Sequence, residues 1–273
     1  MAVLSNLNFH QTFKPEVQYI SSILSVADGT TAYEIRDISN LTGIPNGKSS
    51  GKVEPHILYS LYMGLIDFKK EDGKYTISLT PLGKVVLRED PGLQEELTIL
   101  LCHAMMCRKK TGADVWSRCF LEVFPKYKDG IKKEILLKEL DVIFPGKVNT
   151  KNMAPFFGSY EDMFSSIGML SVKDDIVTAN QSSYNKEFIY LYALVLWSLW
   201  DDEYSKQDEI SSIQLNELCF GKVFGWNLEQ EYKVLEALSD KGIVRLNRQL
   251  MPYTILRLTS NDVLLDRLYS ELC

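Results

Sequence analysis

The sequence is poor in cysteine, histidine and surplus positive charge, and each scarcity closes off a class of function. Its five cysteines, Cys102, Cys107, Cys119, Cys219 and Cys273, are odd in number and form no C-x-x-C pair. A disulfide framework therefore has no support. The opening MAVLSNLNFH lacks the apolar core of a secretory signal, and a reducing, cytoplasmic setting is the expectation. Thirty Lys and Arg stand against 36 Asp and Glu, a formal net charge of −6. Indiscriminate binding to nucleic acid rewards a basic surface, so any DNA contact must use a local basic patch or a basic partner. The most apolar run, FIYLYALVLWSLW from Phe188 to Trp200, is shorter than the roughly 20 residues of a membrane span. It reads as a buried helix, and no membrane partner is expected.

What is present suits a packed globular chain. Of 273 residues, 45% are hydrophobic and 11% aromatic, enough for two or three domains around a well-buried core. In the first ninety residues, PEVQYISSILSVA, YEIRDISNL and the stretch from about Glu54 to Met63 carry apolar residues at helical spacing. LIDFKK and KYTISL then read as two strands joined at Glu71-Asp72-Gly73. Three helices followed by a hairpin is the order of a winged helix-turn-helix. The last ninety residues repeat it, with Phe188–Trp200, SIQLNEL and NLEQEYKVLEALSDKG as helices and IVRLN and YTILRLT as the hairpin. Asn227 and Gln230 have capping-box spacing. A weaker third echo, IGMLSV then DDIVTA, lies in the middle. The expected fold is mainly α with small β-hairpin wings: tandem winged helix-turn-helix units joined by a helical segment. Its expected divisions are 1–90, 91–185 and 186–273.

The stretch TGIPNGKSSGK, Thr42 to Lys52, looks like a nucleotide-binding loop. Only three residues separate Gly43 from Gly47, where that loop needs four, and the preceding segment has helical spacing where a strand is required. The turn and the start of the third helix face DNA in a helix-turn-helix, which makes Lys48, Ser49, Ser50 and Lys52 candidate phosphate contacts. His56 and Tyr59, one to two turns on, are candidates for base edges, and Lys69, Lys70 and Lys74 for the wing. The second unit opens its third helix with Asn227, Glu229 and Glu231, whose carboxylates repel phosphate; Arg245 and Arg248 lie in its wing. Partner binding or packing suits it better.

Leu79 to Met106, LTPLGKVVLREDPGLQEELTILLCHAMM, followed by Trp116, Phe120 and Phe124, resembles a bacterial family catalogued as a domain of unknown function. The likeness rests on a T-x-L-G, a D-P, an L-T-x-L-L-x-H helix and an N-terminal His-x-Thr-Phe, here His10 to Phe13, and it spans about the first 145 residues. Members are encoded beside phosphorothioate DNA-modification genes, and one resembles the nickase subunit of single-stranded phosphorothioation (Ssp-type) defence systems. The resemblance implies a DNA-binding component of such a system, with double-stranded DNA and other subunits of the complex as partners and nicking as an activity. It also makes His10 a candidate, either donating to a phosphate or pinning the first helix. The alternatives are a non-enzymatic interaction subunit and a winged-helix transcriptional regulator.

No active site is legible. Hydrolytic nicking calls for clustered carboxylates around a metal. Asp67 with Asp72-Gly73-Lys74 is loosely nuclease-like but reads as a hairpin turn, and Asp201-Asp202-Glu203 as a solvated helix end. His103 and Cys107 share a helix face, yet zinc needs about four ligands; a buried, hydrogen-bonded histidine is expected. No cofactor is evident, and a divalent metal is required only if the protein is a nuclease.

Overall fold

The computed structural model describes residues 7–47, 51–249 and 251–272. One order of elements recurs along the chain. Helix α1 (Val17–Val26) is followed by β1 (Asp28–Tyr33), α2 (Ile35–Thr42), α3 (Val53–Tyr62) and the hairpin β2 (Ile66–Glu71) and β3 (Lys74–Leu79). After α4 (Pro81–Glu89) and α5 (Glu96–Met106), it returns as α6 (Asp114–Arg118), β4 (Ile131–Lys132), α7 (Lys133–Ile143), α8 (Thr150–Glu161), β5 (Leu170–Lys173) and β6 (Ile176–Ala179). The third passage is α9 (Ile189–Tyr204), β7 (Glu209–Ser211), α10 (Ser212–Leu218), short α11 (Phe220–Val223), α12 (Leu228–Asp240), β8 (Val244–Asn247) and β9 (Thr254–Arg257), closed by α13 (Asn261–Arg267). Each passage makes a three-stranded antiparallel sheet in which the last strand lies in the middle: β1-β3-β2, β4-β6-β5 and β7-β9-β8. The fold is mainly α with small antiparallel sheets.

Local chemistry accounts for the boundaries. Glu71 pairs with Lys74 across the first hairpin, and the two residues between them, Asp72 and Gly73, both have positive φ, 49° and 78°. That is the twist a two-residue hairpin turn needs, and Asp-Gly supplies it cheaply. Thr80 caps α4 by accepting from the Gly83 N–H, with Pro81 at the first helical position. Asn227 and Gln230 form the expected capping box on α12. Helix α9 runs one turn past the apolar run, to Tyr204, and Asp201 in that last turn is held by Arg257 at 2.6 Å.

A continuous apolar core joins the three passages. Trp116, fully buried, stands at one junction, its ring 6.0 Å from Phe9, 6.1 Å from Tyr59 and 5.2 Å from Phe156. It thus ties the N-terminal segment and α3 to α8. His103 of α5 ties another. Its Nδ1 lies 2.8 Å from the Tyr160 hydroxyl, and its Nε2 lies 3.0 Å from the Val223 carbonyl. The carbonyl can only accept, so Nε2 carries the proton and Nδ1 accepts from the tyrosine. Burial pulls this imidazole down to about 4.

Candidate nucleic-acid interface

The helix expected to read DNA is covered. Residues 7–16 lie along α3: Phe9 packs edge-on against Tyr59 and Tyr62 at 4.8 and 4.6 Å, and the Tyr59 hydroxyl donates to the Phe13 carbonyl at 2.9 Å. His56 donates from Nδ1 to the Lys52 carbonyl at 2.7 Å and accepts the Glu16 N–H on Nε2 at 3.1 Å. His56, Tyr59 and Ser60 are all 0% exposed, and no residue of α3 is fully exposed. The expectation that His56 and Tyr59 reach base edges is therefore corrected: both rings are consumed in fastening the N-terminal segment to α3. Burial holds His56 down at about 4, against the opposing pull of the Lys52 carbonyl and the Glu16 charge.

His10 belongs to the same fastening. It is 1% exposed, and its Nδ1 accepts the Thr12 N–H at 3.3 Å inside a turn in which Gln11 and Thr12 both take positive φ. Burial, only partly offset by the Leu7 carbonyl, pulls it to about 4. A neutral, enclosed imidazole does not reach a phosphate. Of the two roles expected for it, pinning the chain ahead of α1 is the one its surroundings fit.

The lysines divide. Lys48, Ser49 and Ser50 lie outside the described residues. The ends of their loop are tied, since the Lys52 N–H donates to the Pro45 carbonyl at 2.8 Å. Helix α2, not a strand, runs into that bend, which removes the nucleotide-loop reading. Lys52 is engaged by Glu16 at 2.6 Å and sits over the rings of Phe13 and Tyr19. Lys70 is engaged by Glu54 at 2.9 Å and lies over Tyr75. Glu54 also accepts from Tyr75 and Gln11. Burial pushes that carboxyl up, but the bonds from Tyr75 and Lys70 outweigh it and the net shift is downward. Lys69 and Lys74 occupy the other face of the hairpin, where both are exposed and form no ion pair among the described residues. Glu16 and Glu54 belong to no motif of the sequence, yet they decide which cations are free. Lys52→Ala is accordingly expected to cost about 1 kcal/mol of stability, as partly exposed pairs do, a loss read by denaturant titration.

The acidic candidates do not gather. Asp67 lies near the start of β2 and Asp72 in the turn beyond its far end, five residues on, a separation of up to about 16 Å at strand rise. Asp201 is held by Arg257, Asp202 accepts from Thr111, and Glu203 pairs with Lys110. In the second unit Glu231 is turned inward, 8% exposed, and accepts the Gly221 N–H. Among the described residues no three His, Cys, Asp or Glu side chains come together as a metal set, so no step is routed through a metal.

No family model matches the sequence, and no curated protein matches it. Solved structures do. A crystal structure of SspB superposes with a TM-score of 0.73 at 16% identity, covering 97% of this chain and 88% of that one. The chain is similar in fold to SspB. A magnesium-ion-bound SspB crystal structure gives a TM-score of 0.71 at 15% identity over the same shares. The likeness to SspB runs through all three passages, well past the 145 residues in which family motifs are legible. At this identity the match to SspB carries the fold alone. No helix among the described residues is long and apolar enough to cross a membrane.

Proposed function

We propose that the chain is a DNA-binding component of a phosphorothioation-type DNA-modification or anti-phage defence system, built from winged-helix units and acting with other subunits of a cytoplasmic complex. The observation that carries this reading is the match to SspB over 97% of the chain. It agrees with the family motifs at Thr80-Pro81-Leu82-Gly83, Asp90-Pro91 and the α5 helix. The contact surface is the outward face of the first hairpin, Lys69 and Lys74, with Lys48 as the sequence-predicted third cation. Duplex DNA meets this surface through its backbone, since α3 is not available to enter a groove.

The test is duplex binding measured by fluorescence anisotropy across a salt series. Replacing Lys48, Lys69 and Lys74 by alanine is expected to reduce the slope of log K against log salt by about 0.9 for each phosphate no longer neutralised. An unaltered slope would overturn the assignment of this surface. Nicking is scored in parallel with supercoiled plasmid and Mg²⁺ or Mn²⁺, by conversion to the open circle.

The covered state of α3 favours a second reading, in which the three units dock other proteins and no DNA. In that case anisotropy stays flat at every salt concentration.

A further inference from the structure

A cleft of about 470 Å³ opens between the turn after α6 and the start of α12, within the size range of small-molecule sites. Its floor is aromatic and fixed. Trp226 stacks on Phe224 at 4.3 Å and 24°, and its indole N–H is already spent on the Ser182 carbonyl at 2.8 Å. Phe120 meets Phe124 edge-on at 5.2 Å. Phe120, Phe124 and Trp226 are 3%, 6% and 6% exposed and line this space. What little of these rings is exposed is apolar surface with no further polar requirement.

One charged group is built into the lining. Glu231 is 8% exposed, and one carboxyl oxygen accepts the Gly221 N–H at 2.6 Å. A Cβ on residue 221 would stand 2.6 Å from that oxygen, so only glycine lets the carboxyl in. The second oxygen has no hydrogen-bond partner among the described residues. That oxygen borders the cleft, where an N–H donor of a ligand can meet it. Burial pushes Glu231 up, against the Gly221 N–H and the Lys222 charge. Lys128 and Lys222 also line the cleft and are exposed; neither forms an ion pair with a carboxylate among the described residues, and Lys222 donates to the Leu121 carbonyl at 3.3 Å. With two ammonium groups and one carboxylate, the charged lining favours an anionic ligand that also carries an N–H donor.

We infer that this cleft binds a nucleotide unit, its base on the Phe120–Phe124–Trp226 floor, an N–H edge towards Glu231 and its phosphate at Lys128 and Lys222. Stacking of a base on aromatic rings with a lysine on the backbone is the ordinary chemistry of unpaired nucleotides. The unit comes either free, as a nucleoside monophosphate, or as an unstacked base of a single strand. The site lies on different elements from the first hairpin and does not depend on the duplex reading.

The full chain is titrated with GMP, guanosine and a six-nucleotide single strand, followed by calorimetry and tryptophan fluorescence. GMP is chosen because guanine presents two adjacent N–H donors to a carboxylate. Saturable binding of GMP assigns a free nucleotide, and saturation by the oligonucleotide alone assigns a strand. In either case Lys128→Ala, an exposed change that leaves the fold intact, weakens binding roughly tenfold, the worth of one charge-assisted hydrogen bond. Guanosine, lacking the phosphate, is indifferent to Lys128→Ala. Glu231→Gln weakens base recognition, with the thermal melt showing that the variant is folded. The Lys69→Ala, Lys74→Ala variant keeps the site. The inference fails if no probe saturates, or if Lys128→Ala and Glu231→Gln both leave binding unchanged.

Discussion

Acidification from pH 7 to pH 5 is expected to remove about 6 kcal/mol of folding stability, because every histidine of the chain is buried and neutral. The chain has three, His10, His56 and His103; they are 1%, 0% and 0% exposed, and burial pulls each from 6.5 to about 4. A group whose folded pKa lies below its unfolded value stabilises fully above the unfolded value. That contribution is lost as pH falls from 6.5 through 4, since only the unfolded chain accepts the proton readily. At pH 5 the loss is about 2 kcal/mol for each histidine, or roughly 6 kcal/mol together, comparable with the whole stability of many domains. Glu231, raised by burial, works in the opposite direction, but it is one group against three. Urea titrations at pH 7 and pH 5 measure the effect directly. The slope near pH 5 should correspond to nearly three protons taken up on unfolding, and His56→Gln should remove about one of them. A midpoint that does not move between pH 7 and pH 5 would contradict the neutral, enclosed state of these rings.

Those histidines also mark where the sequence stops being informative. Helix periods, glycine stops, the Asp72-Gly73 turn and the Asn227–Gln230 capping box are local, and each is found where spacing puts it. The first strand of each sheet has no such signature. DGTTAY is polar, β4 is two residues long and β7 three, too little for a period to register. Helix α13, which follows the last hairpin and is only seven residues long, is missed for the same reason. The covering of α3 is harder still. His56 and Tyr59 are amphipathic, and whether they face solvent depends on Phe9, Phe13 and Trp116, which lie 43 to 60 positions from His56. Nothing near residue 56 signals that. Lys52 and Lys70 fail as free cations through Glu16 and Glu54, one of them far upstream in sequence. The N-terminal His-x-Thr-Phe motif acquires a physical meaning only in the folded chain, as the strap that closes α3.

The family-like Thr80-Pro81-Leu82-Gly83 acquires one too, and it predicts that a single added methyl group is severely damaging. Gly83 is the third residue of α4, where alanine ordinarily gains up to about 1 kcal/mol over glycine. Here a Cβ would stand 1.8 Å from the Leu65 carbonyl oxygen and 2.8 Å from its carbon. That carbonyl cannot retreat, because the Thr80 N–H holds it at 3.1 Å and the Thr80 hydroxyl at 3.2 Å. The same hydroxyl caps the helix by accepting from Gly83 at 2.9 Å, so cap, strand end and helix are one rigid knot. Relieving the clash means moving α4 by more than about 1 Å away from β2 and prising Val85 and Val86 out of the core. Gly83→Ala is expected to cost about 3 kcal/mol or more, lowering the melting temperature by roughly 6–12 °C for a chain of this size. Gly158, inside α8, is the control: its added Cβ would meet only the flexible Lys14 side chain, at 3.3 Å, and Gly158→Ala should be neutral or mildly stabilising. The hairpin bearing Lys69 and Lys74 begins at Ile66, one residue beyond the clash, so duplex binding should fall together with the melting temperature in Gly83→Ala and in Gly158→Ala remain unchanged. A Gly83→Ala protein that melts with the parent would mean that α4 does not rest against Leu65 as described.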